Sequence, residues 1–288
     1  MRNGLAILAV MAAAALVFGA ELPIEPHHTT GQSITPAYEG WFENPDGTFS
    51  FLIGYYNRNL KETLDVPVGP NNRIEPGGPD RGQPTHFTAG RQWGLFTVTV
   101  PKDFGNNKLT WTIVANGVTT SIPFTMDPNW VISPLTDATN NTPPFISFGT
   151  REPMVQGPRP ISVERTTALN NPLTLTVWVA DDAKVPPGTP ARAAKATPVS
   201  VAWTKFRGPG TVTFSDEKPE VQKADWNAPQ PAVFSGKATT SVTFSEPGEY
   251  ILRVVANDIS GDGGRGFQCC WTNAHVKVTV EPPRAGER

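Results

Sequence analysis

The sharpest chemical signal is Cys269-Cys270, the only two cysteines in the chain. In an oxidising compartment two cysteines invite a disulfide. Adjacent cysteines close a small ring, so three readings arise. The bridge locks the loop before the last strand, serves as a rigid knob or redox switch, or joins two chains. The local lock is the simplest. A zinc centre is not indicated, because His275 is the only nearby histidine and there is no second cysteine pair.

Hard-cation chemistry has one candidate stretch, Asn257-Asp258-Ile259-Ser260-Gly261-Asp262-Gly263-Gly264. Asp258 and Asp262 are its Ca²⁺ candidates, and Asp181-Asp182 could join them from another loop. The full calcium-loop spacing and its closing Glu are missing, so a plain glycine-rich turn is the simpler expectation. No other cofactor is indicated. The third candidate is the stretch 65–92, which carries Asp65, Arg73, Glu75, Asp80, Arg81 and His86 among many Pro and Gly. It reads as a long irregular loop, well beyond the usual length of about 4–6 residues. A stiff loop loses little entropy on binding, which makes it a recognition surface. The alternative is a self-packed loop covering a sheet edge, its charges satisfied internally.

Catalysis has little to draw on. There is no Gly-x-Ser-x-Gly elbow, no His-Glu-x-x-His and no phosphate-binding Gly-Lys loop. The four histidines are scattered: His27 and His28 on an N-terminal arm, His86 in the long loop, and His275 beside the last strand. The expectation is a non-enzyme. The eight Trp raise a carbohydrate-binding alternative. Trp111 and Trp203 alternate with apolar residues and belong to a core, Trp178 lies opposite an apolar face, and the remaining Trp follow no pattern.

The elements that must position these residues read as strands. Phe49, Phe51, Ile53 and Tyr55 share one face of a strand entered through Asn44-Pro45-Asp46-Gly47. Phe96, Val98 and Val100 repeat the alternation. Leu109, Trp111 and Ile113 lead through Asn116-Gly117, a two-residue hairpin turn, into Val118, Thr120, Ile122 and Phe124. Later strands carry Leu173 to Val179, Val199 to Trp203, 211–214, 240–244, 250–256 and 276–280. Pro 30 and Gly 26 fall mainly between these segments, as turns in an all-β chain do. The fold expected is two antiparallel β-sandwich domains in tandem after a signal peptide, immunoglobulin-like as implied by the resemblance described below.

The peptide is read from Met1-Arg2-Asn3 followed by an apolar run over 5–18 and small residues at Gly19-Ala20. The division expected is a signal peptide 1–20, a flexible segment 21–32, a first domain 33–127, a linker 128–144, a second domain 145–281 and a tail 282–288. The protein would be secreted or periplasmic, with no membrane span after cleavage. A net charge of -2 without a basic cluster argues against a nucleic-acid partner. The partner expected is a protein or glycan of the envelope or extracellular space, met through surface loops. An envelope assembly subunit is the further alternative.

Ser241-Val242-Thr243-Phe244-Ser245-Glu246-Pro247-Gly248-Glu249-Tyr250-Ile251-Leu252 and the residues up to Asp258 resemble the last hairpin of PKD-like and related immunoglobulin-like domains. There a Pro-Gly-x-Tyr corner joins two core strands. The resemblance implies a fold and carries no catalytic residues. An insert over about 219–238 and the cysteine pair depart from the family pattern. In the first half, Gly54-Tyr55-Tyr56-Asn57-Arg58-Asn59 and Gly82-Gln83-Pro84-Thr85-His86-Phe87 resemble stretches in secreted bacterial proteins of no assigned role.

Overall fold

The computed structural model describes residues 28–149, 153–158, 161–185, 197–260 and 269–283. The expected signal peptide, His27 and Asp262 lie outside them. The first half contains β1 (Ile34–Glu43), β2 (Phe49–Asn57), β3 (Leu64–Asp65), β4 (Asn72–Glu75), β5 (His86–Phe87), β6 (Gly90–Val100), β7 (Leu109–Ala115) and β8 (Val118–Phe124). Strands β1-β2-β6 make one antiparallel sheet, β4-β7-β8 a second, and β3-β5 a short pair. The alternation read from sequence sets which face meets the other sheet. Phe51, Ile53, Tyr55, Phe96 and Val98 point into a core shared with Ile74, Trp111, Ile113 and Phe124. Asn116 and Gly117 both have positive φ, as a tight hairpin between β7 and β8 requires.

The stretch 65–92 is not the irregular loop its Pro and Gly content suggests, since it holds β4, β5 and the start of β6. Buried amides tie it down where ladder bonds stop. Asn72 is fully buried, donates to the Val66 and Pro84 carbonyls, and accepts from the Trp111 indole at 2.9 Å. Gln83, equally buried, donates to the Pro79 carbonyl. Side chains here supply the partners that a longer strand would have found in a neighbour. The arm residues just before β1 are likewise held, with Leu60 and Lys61 N–H groups donating to His28 and Thr29 carbonyls.

The second half adds β9 (Phe145–Ser147), β10 (Met154–Gln156), β11 (Ile161–Ala168), β12 (Leu173–Asp181), β13 (Val199–Arg207), β14 (Val212–Phe214), β15 (Gln222–Lys223), β16 (Phe234–Phe244), β17 (Gly248–Asp258) and β18 (Trp271–Glu281). One sheet runs β10-β9-β12-β16-β14 with β15 also on β16, and the other runs β11-β18-β17-β13. Their inner faces close over Val177, Val179, Trp203, Val242, Leu252, Val254, Val276 and Val278. The architecture is all-β and built of packed, mainly antiparallel sheets.

Four local expectations change. The Glu246-Pro247-Gly248 turn does not make a hairpin: β16 pairs with β12 and β17 with β13 and β18, so the chain switches sheets there. The Tyr250 hydroxyl pins this corner, donating to the Glu246 carbonyl at 2.8 Å and accepting from Gly210 N–H at 3.1 Å. A tyrosine hydroxyl bonded to backbone a few residues upstream is also the geometry of the corner known from immunoglobulin-like sandwiches. Gly208-Pro209-Gly210 likewise carries the chain from β13 in one sheet to β14 in the other. The insert over 219–238 is partly strand, because β16 begins at Phe234 and β15 lies against it. Finally, β11 runs parallel to β18 from Ile161↔Ala274 to Ala168↔Glu281, where antiparallel pairing was expected throughout.

The halves meet sheet face to sheet face. Leu52 and Phe42, on the outer face of the β1-β2-β6 sheet, pack with Val255 and Trp271 from the outer face of β17 and β18. Phe206 of β13 enters the first core outright. The segment 128–144, expected as a linker, contributes Ile132 to this seam, held by its N–H on the Trp41 carbonyl at 2.9 Å. It starts with a short 3-10 turn at Pro128–Trp130 and ends with Asn141 fully buried.

Candidate functional site

Beside the seam, where the outer face of β13 and β17 is not covered by the first half, a groove of about 740 Å³ opens. Four segments distant in sequence build it. Strands β13 and β17 form the floor with Ser200, Ala202, Thr204, Arg253, Val255 and Asn257. One wall is the end of the long charged stretch, Thr88, Ala89, Gln92 and Trp93. The other is a strap from the insert, Glu217 to Val221, anchored by Val221 in the second core. The Glu217 carbonyl accepts the Trp203 N–H at 2.7 Å, closing the edge of β13 at that point.

Trp93 is positioned by a locked cation. The Arg91 guanidinium lies 3.9 Å from the indole centroid while donating to Glu39 at 2.9 Å and to the Tyr55 carbonyl at 3.0 Å. Just after it, Gly94 has φ +46° and faces the Trp271 ring, so the strand bends where the two halves touch. Arg253 is buried, and its Nε donates to Asn273 at 2.9 Å. Asn273 in turn donates to the Gly94 carbonyl at 2.7 Å. The groove floor is thereby wired to the bend that sets Trp93. The Asn257 Oδ1 is a buried acceptor without a protein partner.

The residues singled out by type gather elsewhere. Asp65 and His86 face each other across the β3-β5 pair at 2.8 Å, and the buried Lys205 ammonium of β13 reaches the same Asp65 oxygen at 3.2 Å. Burial raises the Asp65 carboxyl, but the His86 and Lys205 partners outweigh it and hold it below the usual range. These three border a smaller hollow of about 200 Å³ with Glu246. Asp80 makes a two-pronged pair with Arg207 at 2.8 and 3.0 Å, which holds its carboxyl below the usual range. Arg73 pairs with Glu75 at 3.0 Å, and Arg81 donates to the Pro76 carbonyl. The charges of the stretch are thus spent partly within it and partly on β13.

Asp258 sits at the end of β17 beside Asp181, the last residue of β12, and Asp182 just after it. The Asn141 amide donates to Asp258 at 2.6 Å, and Ser260 caps its other oxygen. Burial, then the neighbouring carboxylates, push Asp181 up to about 7. Asp258 is also raised, chiefly by burial. Among the described residues, no three His, Cys, Asp or Glu side chains are grouped to hold a metal ion. Cys269 and Cys270 are buried and bonded to each other, with both sulfurs near the Asn141 carbonyl.

The groove as a whole went unread in the sequence: the stretch 65–92 and the insert stand out separately, but nothing local brings them together over β13 and β17. One signal was present. Strand β17 is apolar on both faces, with Ile251 and Val255 opposite Leu252 and Val254, and a strand buried on both faces reads that way. Trp111 and Trp203 are core residues as expected, while Trp178 is half-buried with Lys237 5.8 Å from its ring centroid.

No protein-family model matches the chain, and no curated protein matches it. Among solved structures it is similar to the ASH/PapD-like domain of human CEP192, PapD-like domain 7, at 17% identity, covering 54% of this chain and 94% of that one with TM-score 0.24. It is similar to domains 4 and 5 of the S-layer protein SbsC at 12% identity, covering 86% and 98% with TM-score 0.21. A mutant of the CFA/I adhesin CfaE from enterotoxigenic E. coli matches at 9% identity, covering 92% and 82% with TM-score 0.24. Overlap at this level carries no argument about role, and the β architecture stands on the chain's own strands.

Proposed function

We propose that this chain is an exported, non-catalytic recognition module that receives its partner in the groove beside the seam. The observation that carries this reading is the make-up of that groove: a fixed indole, amides and hydroxyls over an open floor of two strands. Strongly shifted titratable groups are the usual mark of a catalytic site. Here Asp181, His275, Tyr38 and Tyr55 have such shifts, and none of them lines the groove. Export is supported by the basic start and apolar run at the N-terminus, and by a pair of cysteines joined as in an oxidising compartment. The PKD-like assignment of the second half belongs to the same proposal and is supported by the tyrosine corner.

Ser200 is an exposed floor residue, so Ser200→Arg fills the groove without touching a core. The purified chain should be retained on surface material of its source organism, and the variant should not. Equal retention of both would sink the assignment of the groove.

A further inference from the structure

We infer that the groove takes a short, neutral oligosaccharide, an inference that rests on the recognition reading above and names its ligand class. Its charged lining residues are Glu217, Lys218, Glu220 and Arg253, two of each sign. A polyanion or polycation would need an imbalance that is not there. The polar side chains of Thr88, Gln92, Thr197, Ser200 and Thr204 each both donate and accept. Sugar hydroxyls do the same, so the two sets satisfy one another in many orientations.

One feature is more specific. The Trp93 indole, braced by an Arg91 that is itself held by Glu39, is a preformed plate against which the C–H face of a pyranose ring stacks. A peptide strand is a poorer occupant. Adding to the β13 edge would require free backbone groups, and the Glu217 carbonyl already takes the Trp203 N–H. The groove's about 740 Å³ falls within the size range of ligand sites, about 300–1,000 Å³.

The test uses the full chain on an array of short neutral oligosaccharides of glucose, mannose, xylose and N-acetylglucosamine, with hits titrated by calorimetry. Binding is expected to weaken by at least about tenfold in Trp93→Ala, to recover in part in Trp93→Phe, and to vanish in Ser200→Arg, with unchanged melting temperatures. If no oligosaccharide on the array binds, or if binding ignores both Trp93→Ala and Ser200→Arg, the inference is overturned. The recognition reading is judged separately, on surface material stripped of glycans by periodate. Retention that survives stripping yet is lost in Ser200→Arg leaves that reading standing with a protein partner and removes the sugar. Retention indifferent to Ser200→Arg removes both.

Discussion

Two buried titratable residues should make stability depend on pH in opposite directions. Asp181 titrates near 3.8 when exposed and is raised to about 7 in the fold by burial and its carboxylate neighbours. The native state therefore holds a proton that the unfolded chain has lost, and stability falls as pH rises from about 4 to about 7. His275 behaves the other way. Burial, then the positive charges of Arg253, Arg207 and Lys277, lower it from 6.5 to about 3, and its ring lies 4.7 Å from that of Phe206. The unfolded chain gains a proton there that the fold refuses, so stability falls as pH drops from about 6.5 toward 3. Denaturant midpoints measured against pH for Asp181→Asn and His275→Gln separate the two. The first variant should lose much of the decline toward neutrality, which is on the order of a few kcal/mol, the remainder staying with the raised Asp258, and the second should lose the acid-side decline. A wild-type profile identical to both variants would disprove the assignments. The sequence puts Asp181 on a loop able to join Asp258 and His275 beside the last strand, but the burial that shifts both is tertiary and leaves no local signal.

Elements were legible where local chemistry decides them and illegible where the choice is global. Phe49 to Tyr55 and the Asn116-Gly117 turn set their own face and reversal. The Glu246-Pro247-Gly248 turn suits a hairpin or a sheet switch equally well, and only the Tyr250 anchor separates them. Ile161–Ala168 alternates too little to announce a parallel partner. Tyr250→Phe should leave the buried Gly210 N–H without its acceptor and cost about 1–3 kcal/mol, read from urea unfolding. A cost near zero would mean the corner is held by the backbone alone. Gly94→Ala should be worse than ordinary surface changes, because φ +46° and the facing Trp271 ring both oppose a methyl group. A loss of at least about 2 kcal/mol is expected, together with weakened ligand binding through the displaced Trp93. Wild-type stability in that variant would show that the bend is relaxed easily.

At the scale of the molecule, the sheet pairs share a buried seam, so they should not melt separately. Trp271 is almost fully buried between them. Calorimetry of the wild type should give one transition, whereas Trp271→Ala should cost about 3–5 kcal/mol and split it in two. Two transitions already in the wild type would show that the seam does not couple the halves. The layer count was beyond the sequence because it depends on the outer faces of strands whose inner faces already explain their apolar residues. The parallel pairing of β11 with β18 has a mechanical consequence. Strand β18 is flanked on both sides, by β17 over Gly248↔Val280 to Asn257↔Trp271 and by β11 over Ile161↔Ala274 to Ala168↔Glu281. Tension applied at Glu281 along the strand axis must shear two ladders at once and cannot unzip one bond at a time. A chain pulled from that end would yield abruptly and at high force, because both ladders must give way together.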